Sequence, residues 1–363
     1  MRDFLTRHKR LHYWLLAAGL VLVLFHALRY VRPLMTFWVD HITGNIKGGV
    51  AVVTHLVPFS VAEWVLLAAV LVPLWLLIRE IRRMRRRGRE RITVGHGLYR
   101  IGAGLLAILL TYWGAFSLFY GANFYADGFQ ERAGIFAEAV TVEELERVTA
   151  YFAAGLNETA HLVPRDENGV FDASIQTIFD ESVDVFRNLE AYFPFLTHRD
   201  RRPKPLLTSP LWAMTDYTGF FFPFTAEANI NILAPRSQVP ATVLHEFVHQ
   251  RGFASENEAN FVAILAGVKG DNPIFAYSAY LLGYSHLAAA LGRVAPERFQ
   301  AIHGTLVEYV HADLADIRAY HDRKNPMAQR ITNAANDGML RSYGEVSGIL
   351  SYGEVVDLLV VYF

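Results

Sequence analysis

The sequence predicts a mainly α-helical membrane protein. Three N-terminal transmembrane helices are expected to precede an α-rich α+β domain with a small sheet, lying outside the cytoplasmic membrane. Three observations carry this. Apolar stretches at about 13–32, 61–78 and 98–120 are each long enough, or nearly so, to cross a bilayer. Nine arginines lie between Arg79 and Arg100, separating the second stretch from the third. The pentad His245-Glu246-Phe247-Val248-His249 stands far downstream, in a segment punctuated as a helix.

The first stretch is short, but Trp14 and flanking basic residues can anchor it at the interfaces. No small-residue cleavage site follows it, since Arg29-Tyr30-Val31-Arg32-Pro33 comes instead, so it reads as a retained anchor. Pro73 kinks the second stretch, which helix packing in membranes tolerates. The arginine-rich loop at 79–97 belongs inside the cell by the positive-inside rule, along with Arg2, Arg7, Lys9 and Arg10. The sparsely basic loop from Arg29 to Ser60 then falls outside, as does everything after Tyr120. Residues 1–120 are read as the membrane anchor and 121–363 as one extracytoplasmic domain.

At 53% hydrophobic and net charge −1, the chain has the composition of a lipid-bilayer partner and no general nucleic-acid-binding balance. Zero cysteines exclude disulfides, Cys-liganded zinc and a Cys nucleophile.

Beyond residue 120 helical signals dominate. Thr141 and Glu144 form a capping box opening a helix to about Leu156, and Ser174 to Phe193 reads as another, stopped by Pro194. Leu206 to Thr208 is a candidate short strand. Glu227-Ala228-Asn229-Ile230-Asn231-Ile232 alternates polar and apolar residues, as a half-buried strand does, and suits a sheet edge lining a catalytic cleft. Further helices are expected at Ala259–Val268, Ile274–Leu291, Pro296 to about Asp322 and Val355–Phe363. The Ile274–Leu291 helix is apolar enough to raise the question of a fourth crossing, but its tyrosines, serines and His286 favour burial against protein. The pentapeptide Ser-Tyr-Gly-Glu-Val occurs at 342–346 and again at 351–355, and reads as capped turns.

On the helix implied by Ser237, Pro240 and Gly252, His245 and His249 share one face and can hold a single metal ion. Glu246 beside them is the candidate general base. A third ligand is sought on the next helix. There Glu258 is favoured because its face is shared with Val262, while Glu256 is the rival. Ser255 and Glu258 also have capping-box spacing, which offers Glu258 a purely structural role. Two histidines and a carboxylate that leave a position open for water are the donor set of a catalytic zinc, Zn2+. Tyr280, Tyr284 and His286 are candidates to stabilise an oxyanion.

The segment from Pro235 through HEFVHQRGFASENEANFVAILAG (His245 to Gly267) resembles a bacterial membrane family catalogued as domain of unknown function 3810. The approach strand at Phe222–Asn231 and the YGEVVDLL end share in that resemblance. The Glu-Ala-Asn-Phe run at Glu258 is also similar to minimal gluzincins of the IrrE/ImmA type, though the linker is much shorter here. These resemblances imply a zincin-like domain with Zn2+ on His245, His249 and Glu258, and a peptidase acting on a peptide or protein substrate. The reading from a different class is a zinc-binding sensor or binding module of the envelope that keeps the fold without general proteolysis.

Overall fold

The computed structural model describes residues 6, 8–86, 91–215, 217–343 and 353–363. Its helices, labelled here where they are used again, are α1 (Lys9–Leu28), α2 (Val61–Arg86), α3 (Arg91–Phe119), α4 (Val142–Thr159), α5 (Val239–Gln250), α6 (Glu256–Lys269), α7 (Pro273–Val294), α8 (Glu308–Asp322), α9 (Pro326–Ser342) and α10 (Glu354–Tyr362). The fold is mainly helical with one small sheet.

Among the described residues four helices are long and apolar enough to cross a membrane: α1, α2, the Val94–Phe119 part of α3, and α7. The first three present their apolar side chains outward, with only 17%, 6% and 17% of the candidate window buried. In α7 that share is 61%, because α4, α5, α6 and α10 all pack against it. Its burial makes it the central helix of the downstream core, where Phe152, Phe247, Phe261, Phe275 and Tyr277 are fully enclosed.

Helix bounds differ from expectation in instructive ways. α1 spans 9–28 instead of 13–32, and the chain then turns into Arg32–Phe37, a widened π-type turn over Trp38–Thr43, and Gly44–Thr54. The expected loop at 29–60 is therefore largely helical. Much of the arginine-rich loop continues α2 and α3 as helix, and Arg87 and Arg89 lie outside the described residues. The 174–193 segment is split into Ile175–Glu181, a tight turn at Ser182–Asp184, and Arg187–Tyr192. Likewise 296–322 breaks after His303, and half of the Ser-Tyr-Gly-Glu-Val pair lies outside the described residues.

The sheet consists of β1 (Lys204–Pro205), β2 (Gly219–Phe222) and β3 (Glu227–Ile230), in the order β1-β3-β2. β1 is parallel and β2 antiparallel to β3. β1 thus lies just ahead of the expected Leu206–Thr208 strand. The alternating segment at 227–232 is also corrected: its strand is central, and the edge strands are β1 and β2. The polar face of β3 is not solvated. Glu227 and Asn229 are completely buried, because that face docks onto the N-terminal end of α2. Glu227 accepts from the backbone N–H of Val61 and Ala62, and Ser60 donates to Asn229 Oδ1 at 2.7 Å. The carboxylate thereby caps two orphan donors of a helix N-terminus and meets the positive end of its dipole. Glu63 reciprocates by accepting from the backbone N–H of Leu207 and Thr208. The segments after α1 are tied down too, the Arg32–Phe37 helix by Arg32–Glu131 at 2.9 Å and the π-type turn by Arg132–Asp40 at 3.0 Å.

Candidate metal centre

α5 starts at Val239 with Pro240 in its first turn, where a missing N–H costs nothing. The expected Ser237 cap is replaced by a tertiary one: Ser278 of α7 accepts from Ala241 N–H and donates to Ser237 O. The helix ends at Gly252, whose φ of +95° suits glycine. Arg251 locks that end. It is stacked 3.8 Å over Phe186 and paired with Asp200 at 2.7 Å and Glu190 at 3.0 Å, all but out of solvent.

His245 and His249 lie one turn apart on α5, with their Nε2 atoms 3.0 Å from each other. The opposite ring nitrogens fix this orientation. His245 Nδ1 pairs with Asn260 Oδ1 at 3.0 Å, and His249 Nδ1 with the carbonyl of Phe253 at 2.7 Å. Oxygen partners only accept here, so both Nδ1 atoms carry a proton and both Nε2 atoms face inward. The third donor is Glu256 at the start of α6, with Oε2 3.1 Å from His245 Nε2 and Oε1 3.7 Å from His249 Nε2. One donor atom from each of the three residues lies within 4.8 Å of the others. Among the described residues this is the one such grouping.

Glu258 does not join it. Its backbone N–H faces Ser255 Oγ at 3.5 Å, and its carboxylate accepts from Gln130 N–H at 2.9 Å. It stabilises the N-terminus of the short Phe129–Ala133 helix, on a different side of α6. Nor does Tyr284 reach the centre, since its hydroxyl pairs with His303 Nδ1 at 3.1 Å, while Tyr280 faces Tyr151. His286 does line the cavity in front of the histidines.

That cavity has a volume of about 650 Å3. One wall is the edge strand β2 and another is α5. A third combines His286 with Asn333, Asn336 and Met339 of α9, and a fourth is Phe116 and Tyr120 at the end of α3. Glu246 points into it. Its Oε2 is buried with no hydrogen-bond partner among the described residues, an expensive state for a group that only guards structure. β2 passes so close that a Cβ on Gly219 would stand 3.2 Å from Glu246 Oε1 and 2.9 Å from Thr242 Cγ2. The glycine admits the strand to the carboxylate.

The electrostatics show a slot waiting for positive charge. Burial lifts Glu246 to about 8. Burial also depresses His249, to about 4. At Glu256 burial acts upward, but the hydrogen bond from His245 and the charge of both imidazoles outweigh it and hold the carboxyl at about 2. Burial likewise opposes charge on His245, and Glu256 overcomes it, pushing the imidazole up to about 9. His245 is therefore held cationic beside an ionised Glu256, with its Nε2 turned toward that carboxylate. Two nitrogen donors, one carboxylate and outward-anchored imidazoles fit a divalent ion of the zinc type.

Sequence reasoning missed Asn260, Arg251 and Tyr120 as parts of this arrangement. Asn260 lies in the Glu-Ala-Asn-Phe run and was within reach. Tyr120, whose ring lies 6.2 Å from that of His249, gave no signal beyond closing an apolar stretch.

Together these features define a helical, membrane-type protein with a histidine–carboxylate centre at the mouth of a cavity. A family model described as protein of unknown function (DUF3810) matches residues 41–360, and the chain belongs to that family. No curated protein matches it. No solved structure does either.

Proposed function

We propose that this protein is a membrane-anchored, zinc-dependent peptidase of the bacterial envelope, with His245, His249 and Glu256 as metal ligands and Glu246 as general base. The carrying observation is the unpartnered, buried Oε2 of Glu246 beside that converging donor set. Zinc, when bound, supplies Lewis acidity and lowers the pKa of a water molecule to about 7. Glu246 accepts the proton of the attacking water and returns it to the leaving amine. Asn260 and the Phe253 carbonyl keep both imidazoles turned inward through the cycle. An extended substrate pairs with the open edge of β2, whose other edge is taken by β3. His286 and Tyr120 are the wall residues able to donate a hydrogen bond to the developing oxyanion.

In the same reading α1, α2 and α3 span the bilayer with the arginines between α2 and α3 inside the cell. α7 stays in the protein core, as its burial supports. The site then lies outside the cytoplasmic membrane.

The test is Glu246→Gln in the purified full-length protein, assayed for zinc content and for cleavage of a mixed peptide library. Loss of cleavage with zinc retained is expected. Unchanged cleavage would sink the mechanism. Zinc bound but no cleavage by the wild type would favour a sensor or binding module instead.

A further inference from the structure

The candidate centre lies close to the ends of the apolar helices, and three independent contacts measure it. Tyr120, one residue beyond the end of α3, lies 6.2 Å ring to ring from His249. The ring of Phe119 packs 5.6 Å from that of Phe224, just past the end of β2. On the neighbouring strand Glu227, the register partner of Phe222, caps α2 at Val61 and Ala62.

β2 therefore has two distinct ends. At Gly219 it lies against Glu246, and at Phe222 it pairs with Glu227, which caps α2, and runs on to Phe224, which packs on Phe119 at the end of α3. Three residues separate them, about 10 Å at the rise of an extended strand. Around the same end of α2 the downstream domain carries apolar side chains into the open. Leu207 and Leu211, each 65% exposed, neighbour the Thr208 backbone held by Glu63 of the first turn of α2, and Leu56 nearby is 78% exposed. Such side chains belong in an interfacial layer.

We infer that the substrate is an extended segment immediately outside the bilayer, belonging to a protein held by its own transmembrane helix, and cut within about three to six residues of that helix. The inference rests on the peptidase reading and adds where the bond lies. A segment paired along β2 with its scissile bond at Glu246 reaches the level of the span ends after only a few residues. The cavity wall formed by Phe116 and Tyr120 is continuous with α3 and gives such a segment an apolar approach from the membrane side.

The experiment reconstitutes the zinc-loaded full-length protein in phosphatidylcholine vesicles. It is given a mixed-sequence library of about 20 residues joined to an apolar helix of about 20 residues, the length that spans a bilayer. A second library of the same composition carries no helix, and cut positions are read by mass spectrometry. Cuts clustered within about six residues of the helix are expected. Cuts spread evenly along the tethered segment, or confined to the free library, overturn this inference and leave the peptidase reading standing. No cleavage of either library overturns both.

Discussion

The choice between Glu256 and Glu258 as third metal ligand has a measurable consequence. Glu256→Gln removes the only anionic donor of the three and leaves the histidines facing a neutral amide. Loss of groups that merely orient ligands costs about 10–100-fold in affinity, so loss of the carboxylate itself should weaken zinc binding by at least about 100-fold, or about 2.8 kcal/mol. At free zinc about 100 times the wild-type dissociation constant, zinc stabilises the wild type by about 2.7 kcal/mol. The variant would gain only about 0.4 kcal/mol at that concentration. The difference corresponds to a zinc-induced melting shift smaller by about 5–9 °C in a domain of this size. Glu258→Gln keeps an acceptor oxygen for Gln130 N–H and loses only charge near a short helix terminus, so it should cost about 1 kcal/mol with zinc affinity unchanged. Competition against a chromogenic chelator and melting with and without zinc read both effects. If Glu258→Gln loses zinc while Glu256→Gln keeps it, the geometric assignment is wrong.

Four further outcomes follow from the same geometry. Asn260→Leu should weaken zinc binding about 10–100-fold by freeing the His245 ring, measurable in the same chelator assay. Gly219→Ala should slow peptide hydrolysis while leaving zinc content intact, because its Cβ crowds Thr242 and Glu246; unchanged turnover would show that β2 yields at no cost. Arg251→Met should destabilise the protein by about 3–5 kcal/mol in chemical unfolding, since it strands the buried Asp200 carboxylate. The Asp200 pair also sets a pH dependence. Burial acts to raise its pKa, but Arg251 and His198 hold it below the ordinary carboxylate value. A depressed folded-state pKa contributes stability that is present above the unfolded value and is lost as pH falls through the folded one, so Asp200→Asn should flatten the acid limb of a melting profile below about pH 4.

Much of this architecture was legible where local chemistry decides it. Pro240 and Gly252 bracket α5 in the sequence as they do in space, and the i, i+4 spacing of His245 and His249 survives folding unchanged. The choice between Glu256 and Glu258 was not local. Two residues apart on a helix means about 200° of rotation, so only one of them can face α5. Glu258 does share a buried face with Val262, being only 5% exposed. The inside it meets is the Phe129–Ala133 helix, and no periodicity reveals which neighbour a buried face will have. The alternation at 227–232 misled in a similar way. It correctly marked a strand, but its polar face is buried against capped backbone donors of α2, a contact between distant parts of the chain. Tyr120 and Phe116 were invisible as site residues because an apolar stretch long enough for lipid hides any second duty its last turn performs.

The Glu227 cap on α2 carries a consequence for anyone who would trim the protein. Cutting the chain after residue 120 would remove Val61 and Ala62 and leave a fully enclosed carboxylate facing water it was never built to meet, on the strand that braces β2. The same cut would strip Phe116 and Tyr120 from the cavity. An excised soluble fragment would then be a poor proxy for the whole molecule. Apolar helices borrowed from an unrelated protein would not restore it either, because here α2 and α3 are part of the mould in which the site is cast.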